Sequence, residues 1–105
     1  MNNERLEQLL QFYQDDPNDP FNLYCLANEY KNNDPKIALT YYSKLLKEHP
    51  SYLPTYYHAA ELYVDNDEID LAEKVIDEGI ELALKQNDTL ALRELRNKLD
   101  DLMDY

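Results

Sequence analysis

The sequence predicts an all-α fold of six helices joined by short turns. Three observations predict it. Apolar residues recur at intervals of three and four along nearly the whole chain. A single glycine in 105 residues leaves little material for the tight hairpins of a sheet. The punctuation is that of helix ends: Asp19-Pro20 and Asp34-Pro35 each set a capping side chain before a proline suited to a first helical turn.

The first helix carries Leu6, Leu9, Leu10 and Tyr13 and stops near Asp15-Asp16-Pro17. The second, capped by Asp19, carries Leu23, Leu26, Ala27 and Tyr30 and breaks at Asn32-Asn33. Asp34 caps the third, with Ile37, Ala38, Tyr42, Leu45 and Leu46, and His49-Pro50-Ser51 closes it. The fourth is expected to begin near Tyr52, with Pro54 in its first turn and Tyr56, Ala59, Ala60 and Tyr63 on its apolar face. Asp65-Asn66-Asp67 reads as a turn containing the next N-cap. The fifth helix runs from about Glu68 to Gln86, with Leu71, Ala72, Val75, Ile76, Gly79, Ile80 and Ala83 expected inward. Asn87-Asp88 opens a sixth, striped by Leu92, Leu95, Leu99 and Leu102.

Composition bounds the function. Hydrophobic residues are 44% and charged residues 30%, a globular balance. The net charge is −12, which argues against nucleic-acid binding and against docking on an anionic membrane, since both need clustered Lys and Arg. No apolar run approaches the roughly 18 residues of a membrane span, and the first residues do not read as a signal peptide. Cys25, the one cysteine, can form no intramolecular disulfide and is expected to be an inert buried thiol. A cytoplasmic setting is the expectation.

The chain repeats itself. Shifted by 33 residues, Pro17 falls on Pro50, Leu23 on Tyr56, Ala27 on Ala60, Tyr30 on Tyr63 and Asp34 on Asp67. One inserted residue later, Ala38 falls on Ala72, Tyr42 on Ile76 and Leu46 on Ile80. Paired helices at this period predict stacked helical hairpins.

These residues resemble the tetratricopeptide repeat, a helix–turn–helix unit. In the first unit Leu23, Leu26-Ala27, Tyr30, Ala38, Tyr42 and Pro50 stand at the motif positions, with Leu45 replacing the second small residue. In the second, Tyr56, Ala59-Ala60, Tyr63, Ala72, Ile76 and Gly79 do so, and no proline closes the unit. Gly79 in mid-helix is explained by a close helix approach rather than by catalysis. The resemblance covers about residues 20–86. It implies an α-α superhelix within a single domain over 1–105: an N-terminal half-repeat helix (1–16), repeat one (20–52), repeat two (53–86) and a capping helix (87–104).

Catalytic chemistry is not indicated. His49 and His58 stand at no metal-ligand spacing, and His49 reads as a helix-end residue. Glycine-rich phosphate loops and HExxH are missing, and Asp65-Asn66-Asp67-Glu68 lacks the glycine of a calcium loop. The expectation is no enzyme activity, no metal and no cofactor.

The resemblance implies a concave groove lined by the first helix of each unit. Beside the core stripe that face carries Tyr24, Asn28, Lys31 and Asn32 in one unit, and Tyr57, Glu61, Val64 and Asp65 in the other. Tyr24 and Tyr57 are either a peptide platform or packing between helices. Family members that hold a chaperone's C-terminal carboxylate do so with Lys, Arg and Asn. Asn28 and Lys31 match that set, but Tyr24 stands where a basic residue is usual, and Glu61 is acidic.

Charge is uneven. Residues 1–19 carry five acids and one base, 20–64 four of each, and 65–105 thirteen acids and five bases. Glu73, Asp77, Glu78 and Glu81 read as a solvated helix face, although acidic ends favour a basic partner. Arg93 and Arg96 offset neighbouring carboxylates or grip an acidic group. The expected function is a non-catalytic adaptor, scaffold or chaperone-like module. It would bind a partner's peptide segment through Tyr24, Asn28, Lys31, Tyr57, Glu61 and Val64. The alternative is a homodimer without a peptide ligand, associating through Phe12, Met103 and Tyr105.

Overall fold

The computed structural model describes residues 3–104 and contains six α-helices. They are α1 (Asn3–Asp15), α2 (Pro20–Tyr30), α3 (Pro35–Glu48), α4 (Pro54–Asp65), α5 (Ile69–Gln86) and α6 (Thr89–Met103). No strand occurs among the described residues. The chain divides into two compact units, residues 1–52 and 53–105.

In the first unit α2 and α3 pair as a hairpin and α1 packs on α2. The hairpin core is Leu23, Leu26 and Ala27 from α2 against Ala38, Tyr42 and Leu45 from α3, all buried. Burial of each large side chain contributes about 2 kcal/mol. Both helices start as their sequences dictate. Asp19 Oδ1 accepts from the Phe21 N–H at 2.9 Å, and Asp34 Oδ1 from the Ile37 N–H at 3.3 Å. Each cap satisfies an N–H that the helix itself leaves unpaired. Helix α1 buries no residue completely; Leu6, Leu9, Leu10 and Tyr13 are half-buried. The Asn22 amide on α2 donates to the carbonyls of Phe12 (3.2 Å) and Asp16 (3.1 Å), closing the open end of α1. Arg5 Nε lies 3.2 Å from Glu29 Oε2 and joins the same two helices.

In the second unit α5 packs against both α4 and α6, and α6 also touches α4. Tyr56, Ala59, Ala60 and Leu62, then Ala72, Val75, Ile76 and Ala83, then Leu95 and Leu102 are buried. Gly79 on α5 faces both α4 and α6. A Cβ there would lie 2.8 Å from Tyr56 Cβ and 3.1 Å from Leu95 Cδ1. Close approach is therefore the reason for glycine at this position.

Several expectations are corrected. Helix α4 begins at Pro54 rather than near Tyr52, because the Tyr52 N–H closes a turn onto the His49 carbonyl at 3.0 Å. Asp67 does not cap α5. It takes the left-handed conformation (φ 60°) and ends α4, its N–H donating to Val64 O and the Glu68 N–H to Tyr63 O. This is the paired-bond arrangement of a left-handed helix stop. Glu68 then precedes α5 without a side-chain cap. Asn87 (φ 56°) ends α5 in the same way, and Asp88 caps α6 through the Ala91 N–H at 3.0 Å. Leu71, expected inward, is 44% exposed. Leu92 and Leu99 are only half-buried, and so is Cys25.

Candidate functional site

The expected binding residues lie on α2 in one unit and on α4 in the other. On α2 the core takes Leu23, Leu26 and Ala27. The adjoining positions Tyr24, Asn28 and Lys31 are half-buried. The Tyr24 ring packs at 5.5 Å, tilted by 60°, on Tyr52 in the segment after α3. Burial chiefly, then Tyr24, Cys25 and Asp19, push the Tyr52 hydroxyl above its usual range. Burial and then Asp19 also raise the Cys25 thiol, which keeps it protonated and unreactive at neutral pH. The Asn28 carboxamide oxygen accepts from the Tyr42 hydroxyl. Its amide N–H groups are thus what it can offer a ligand. Lys31 follows the last residue of α2 and donates its backbone N–H to the Asn28 carbonyl at 3.3 Å.

A second aromatic cluster joins all three helices of this unit. Tyr41 of α3 stacks on Tyr30 of α2 at 5.8 Å and meets Tyr13 of α1 edge-on at 6.5 Å. Lys44 Nζ donates to the Tyr13 hydroxyl at 3.0 Å. Tyrosines at helical spacing in the sequence are consistent with such a cluster, but their choice of partners depends on how the helices pack.

On α4, Tyr57, Glu61 and Val64 are half-buried beside the core. Tyr57 meets the His58 ring edge-on at 5.6 Å, and Lys98 Nζ of α6 stands 5.1 Å from the Tyr57 ring centroid. Glu61 has two nitrogen-bearing neighbours, with Oε1 3.7 Å from His58 Nδ1 and Oε2 3.7 Å from Lys98 Nζ. The His58 pair is ionic only when that imidazole is protonated. Val64 lines a small cavity of about 70 Å³ with Lys98, Asp101 and Leu102.

Sequence reasoning missed Lys98, His58 and Tyr52 as members of these faces. Lys98 was legible in principle. It stands three residues after Leu95 and four before Leu102, on the buried side of α6. The acids Glu73, Asp77, Glu78 and Glu81 line an open surface hollow along α5 with Asp70 and Lys74. No three metal-ligating side chains gather among the described residues. No helix among them is long and apolar enough to cross a membrane.

The family model described as tetratricopeptide repeat matches residues 29–99. The solution structure of a tetratricopeptide repeat domain protein from Salinibacter ruber is similar, with a TM-score of 0.77 and 35% identity. That match covers 83% of this chain and 89% of the other. A crystal structure of a tetratricopeptide repeat domain protein from the same organism gives a TM-score of 0.78 and 34% identity, covering 81% and 97%. No curated protein matches.

Proposed function

We propose a function from the premise that the chain belongs to the tetratricopeptide repeat family. Repeats of this family are protein-interaction modules. On our reading this chain is a non-catalytic adaptor that binds a peptide segment of another protein. It does so through Tyr24 and Asn28 on α2 with Lys31 just past its end, and Tyr57, Glu61 and Val64 on α4. One observation carries the reading. Each helix presents, beside its buried stripe, a half-exposed aromatic and polar face already held in place by its own unit. Tyr24 rests on Tyr52, and Tyr57 against the His58 ring. Side chains ordered in advance lose little freedom on binding, and tyrosine combines a large contact area with few rotatable bonds. The net charge of −12 and the Glu61 carboxylate favour a basic partner. A cytoplasmic setting, where a single free thiol is at home, belongs to the same proposal.

The test is capture of partners from a lysate of the source organism by wild type and by the Tyr24→Ala/Tyr57→Ala double variant. Loss of a partner with the variant supports the reading, provided circular dichroism shows it folded. Identical captured sets from both proteins defeat it.

A second reading has its own observation. Phe12 is 56% and Met103 61% exposed, each large enough to anchor self-association. Tyr105, the third expected contact, lies outside the described residues. Sedimentation at low micromolar concentration separates the two readings. A dimer that Phe12→Ser dissociates favours self-association, and a monomer favours the adaptor.

A further inference from the structure

Tyr57 and Glu61 stand one turn apart on α4 and converge on a single cation, Lys98 Nζ, at 5.1 Å from the ring centroid and 3.7 Å from the carboxylate. The ring face attracts positive charge through its quadrupole, and the carboxylate supplies a counter-charge. The arrangement is partly shielded and still reached by water: the Lys98 and Glu61 side chains keep 22% and 28% of their exposure. At 3.7 Å the pair is longer than a charge-assisted hydrogen bond, so the contact is a loose one. Asp101 lines the adjoining cavity of about 70 Å³ with Lys98, Val64 and Leu102. It stands three residues after Lys98 on α6, a spacing that suits an alternative ion pair.

From this geometry we infer that Tyr57 and Glu61 form a subsite for a lysine or arginine side chain of a partner peptide, which Lys98 occupies in the free protein. The incoming cation takes the ring and the carboxylate, while Lys98 turns toward Asp101. Lys98 thus acts as an internal competitor, so the subsite admits only a peptide that places its cation correctly. General attraction is already strong, with thirteen acids against five bases in residues 65–105. The seat adds selection for position, which long-range charge alone does not provide. This inference rests on the proposed α4 face and narrows its ligand to a basic segment.

The probe is a capped Ala-Ala-Lys-Ala-Ala peptide, with its norleucine counterpart as control. Binding is followed by NMR at the Tyr57 ring and Glu61, in enough salt to screen the general charge. The lysine peptide is expected to produce saturable shifts at both residues, and the norleucine peptide none. Lys98→Met keeps an aliphatic chain and removes the competitor; it should tighten the lysine peptide about fivefold, the upper end of the range for one solvent-screened ion pair. Adding Glu61→Gln should abolish that gain. Equal affinity for wild type and Lys98→Met overturns the inference, as does an equal response to norleucine. If Lys98→Met does not fold, Lys98→Gln makes the same comparison. Failure of these peptides to shift Tyr57 in any variant removes the subsite. The broader adaptor reading is judged separately, by partner capture with the tyrosine double variant.

Discussion

The Tyr42 hydroxyl donates its hydrogen bond to the Asn28 carboxamide oxygen, tying the core aromatic of α3 to the candidate binding face of α2. The matching pair in the second unit is Ile76 and Glu61. Isoleucine has no hydroxyl to offer, and Glu61 takes His58 and Lys98 as partners. Two faces that correspond in sequence therefore differ in chemistry. The α2 face presents amide donors, and the α4 face a carboxylate beside a ring. Tyr42→Phe removes the donor and leaves the half-buried Asn28 oxygen without its partner. A loss of about 1 kcal/mol is expected, read as a fall of roughly 4–8 °C in thermal midpoint. An unchanged midpoint would show that solvent satisfies Asn28 equally well.

Gly79→Ala sets two effects against each other. Alanine is better than glycine in a helix interior by about 1 kcal/mol. The added Cβ, however, would lie 2.8 Å from Tyr56 Cβ, an atom fixed to the backbone of α4. Leu95 Cδ1 at 3.1 Å can rotate away, but Tyr56 Cβ cannot move without its helix. Overpacking of this kind costs about 1–3 kcal/mol, so net destabilisation is expected. A lower urea midpoint at unchanged slope checks it, and a raised midpoint would contradict the close approach.

Thr55 at the start of α4 is fully buried, and its hydroxyl oxygen has no hydrogen-bond partner. An unpaired buried hydroxyl costs about 1–3 kcal/mol. Thr55→Val keeps the shape and removes the polar atom. The variant should gain about 1 kcal/mol in urea unfolding, whereas a loss would reveal a bond made by that hydroxyl in solution.

Alkaline pH should weaken the fold. Burial chiefly, then Tyr30 and Tyr13, raise the Tyr41 hydroxyl above its usual 10.0. Burial and then Glu78 raise Tyr56, and Tyr52 moves the same way. A folded value above the unfolded one means that the unfolded chain releases its proton first. The associated stability is complete below about pH 10 and is lost as pH climbs through the folded values. Urea midpoints should hold steady near neutrality and fall above about pH 10. A midpoint unchanged at that pH would mean the tyrosines titrate alike in both states.

The order of six helices and the Asp19 and Asp34 caps were legible in the sequence because each depends on residues within a few positions of one another. Periodicity fixes which side of a helix is apolar, and a capping side chain reaches its own first turn. The reason for Gly79 was legible too, since a mid-helix glycine without a turn implies a neighbour too near for a Cβ. Roles that depend on distant residues were not. Asp34 and Asp67 look alike in sequence, yet one starts a helix and the other stops one, because an inserted residue puts Asp67 in a left-handed stop. Leu71 follows the apolar period but lies 44% exposed near the start of α5, so periodicity alone did not measure its burial. At the candidate site the chain alone determined that Tyr24, Asn28, Tyr57 and Glu61 lie beside the core stripe. Tertiary structure decided what each touches. Asn28 meets Tyr42 fourteen residues away, and Glu61 meets Lys98 on another helix. Such pairings follow from helix packing, a sum over many contacts that no local pattern encodes.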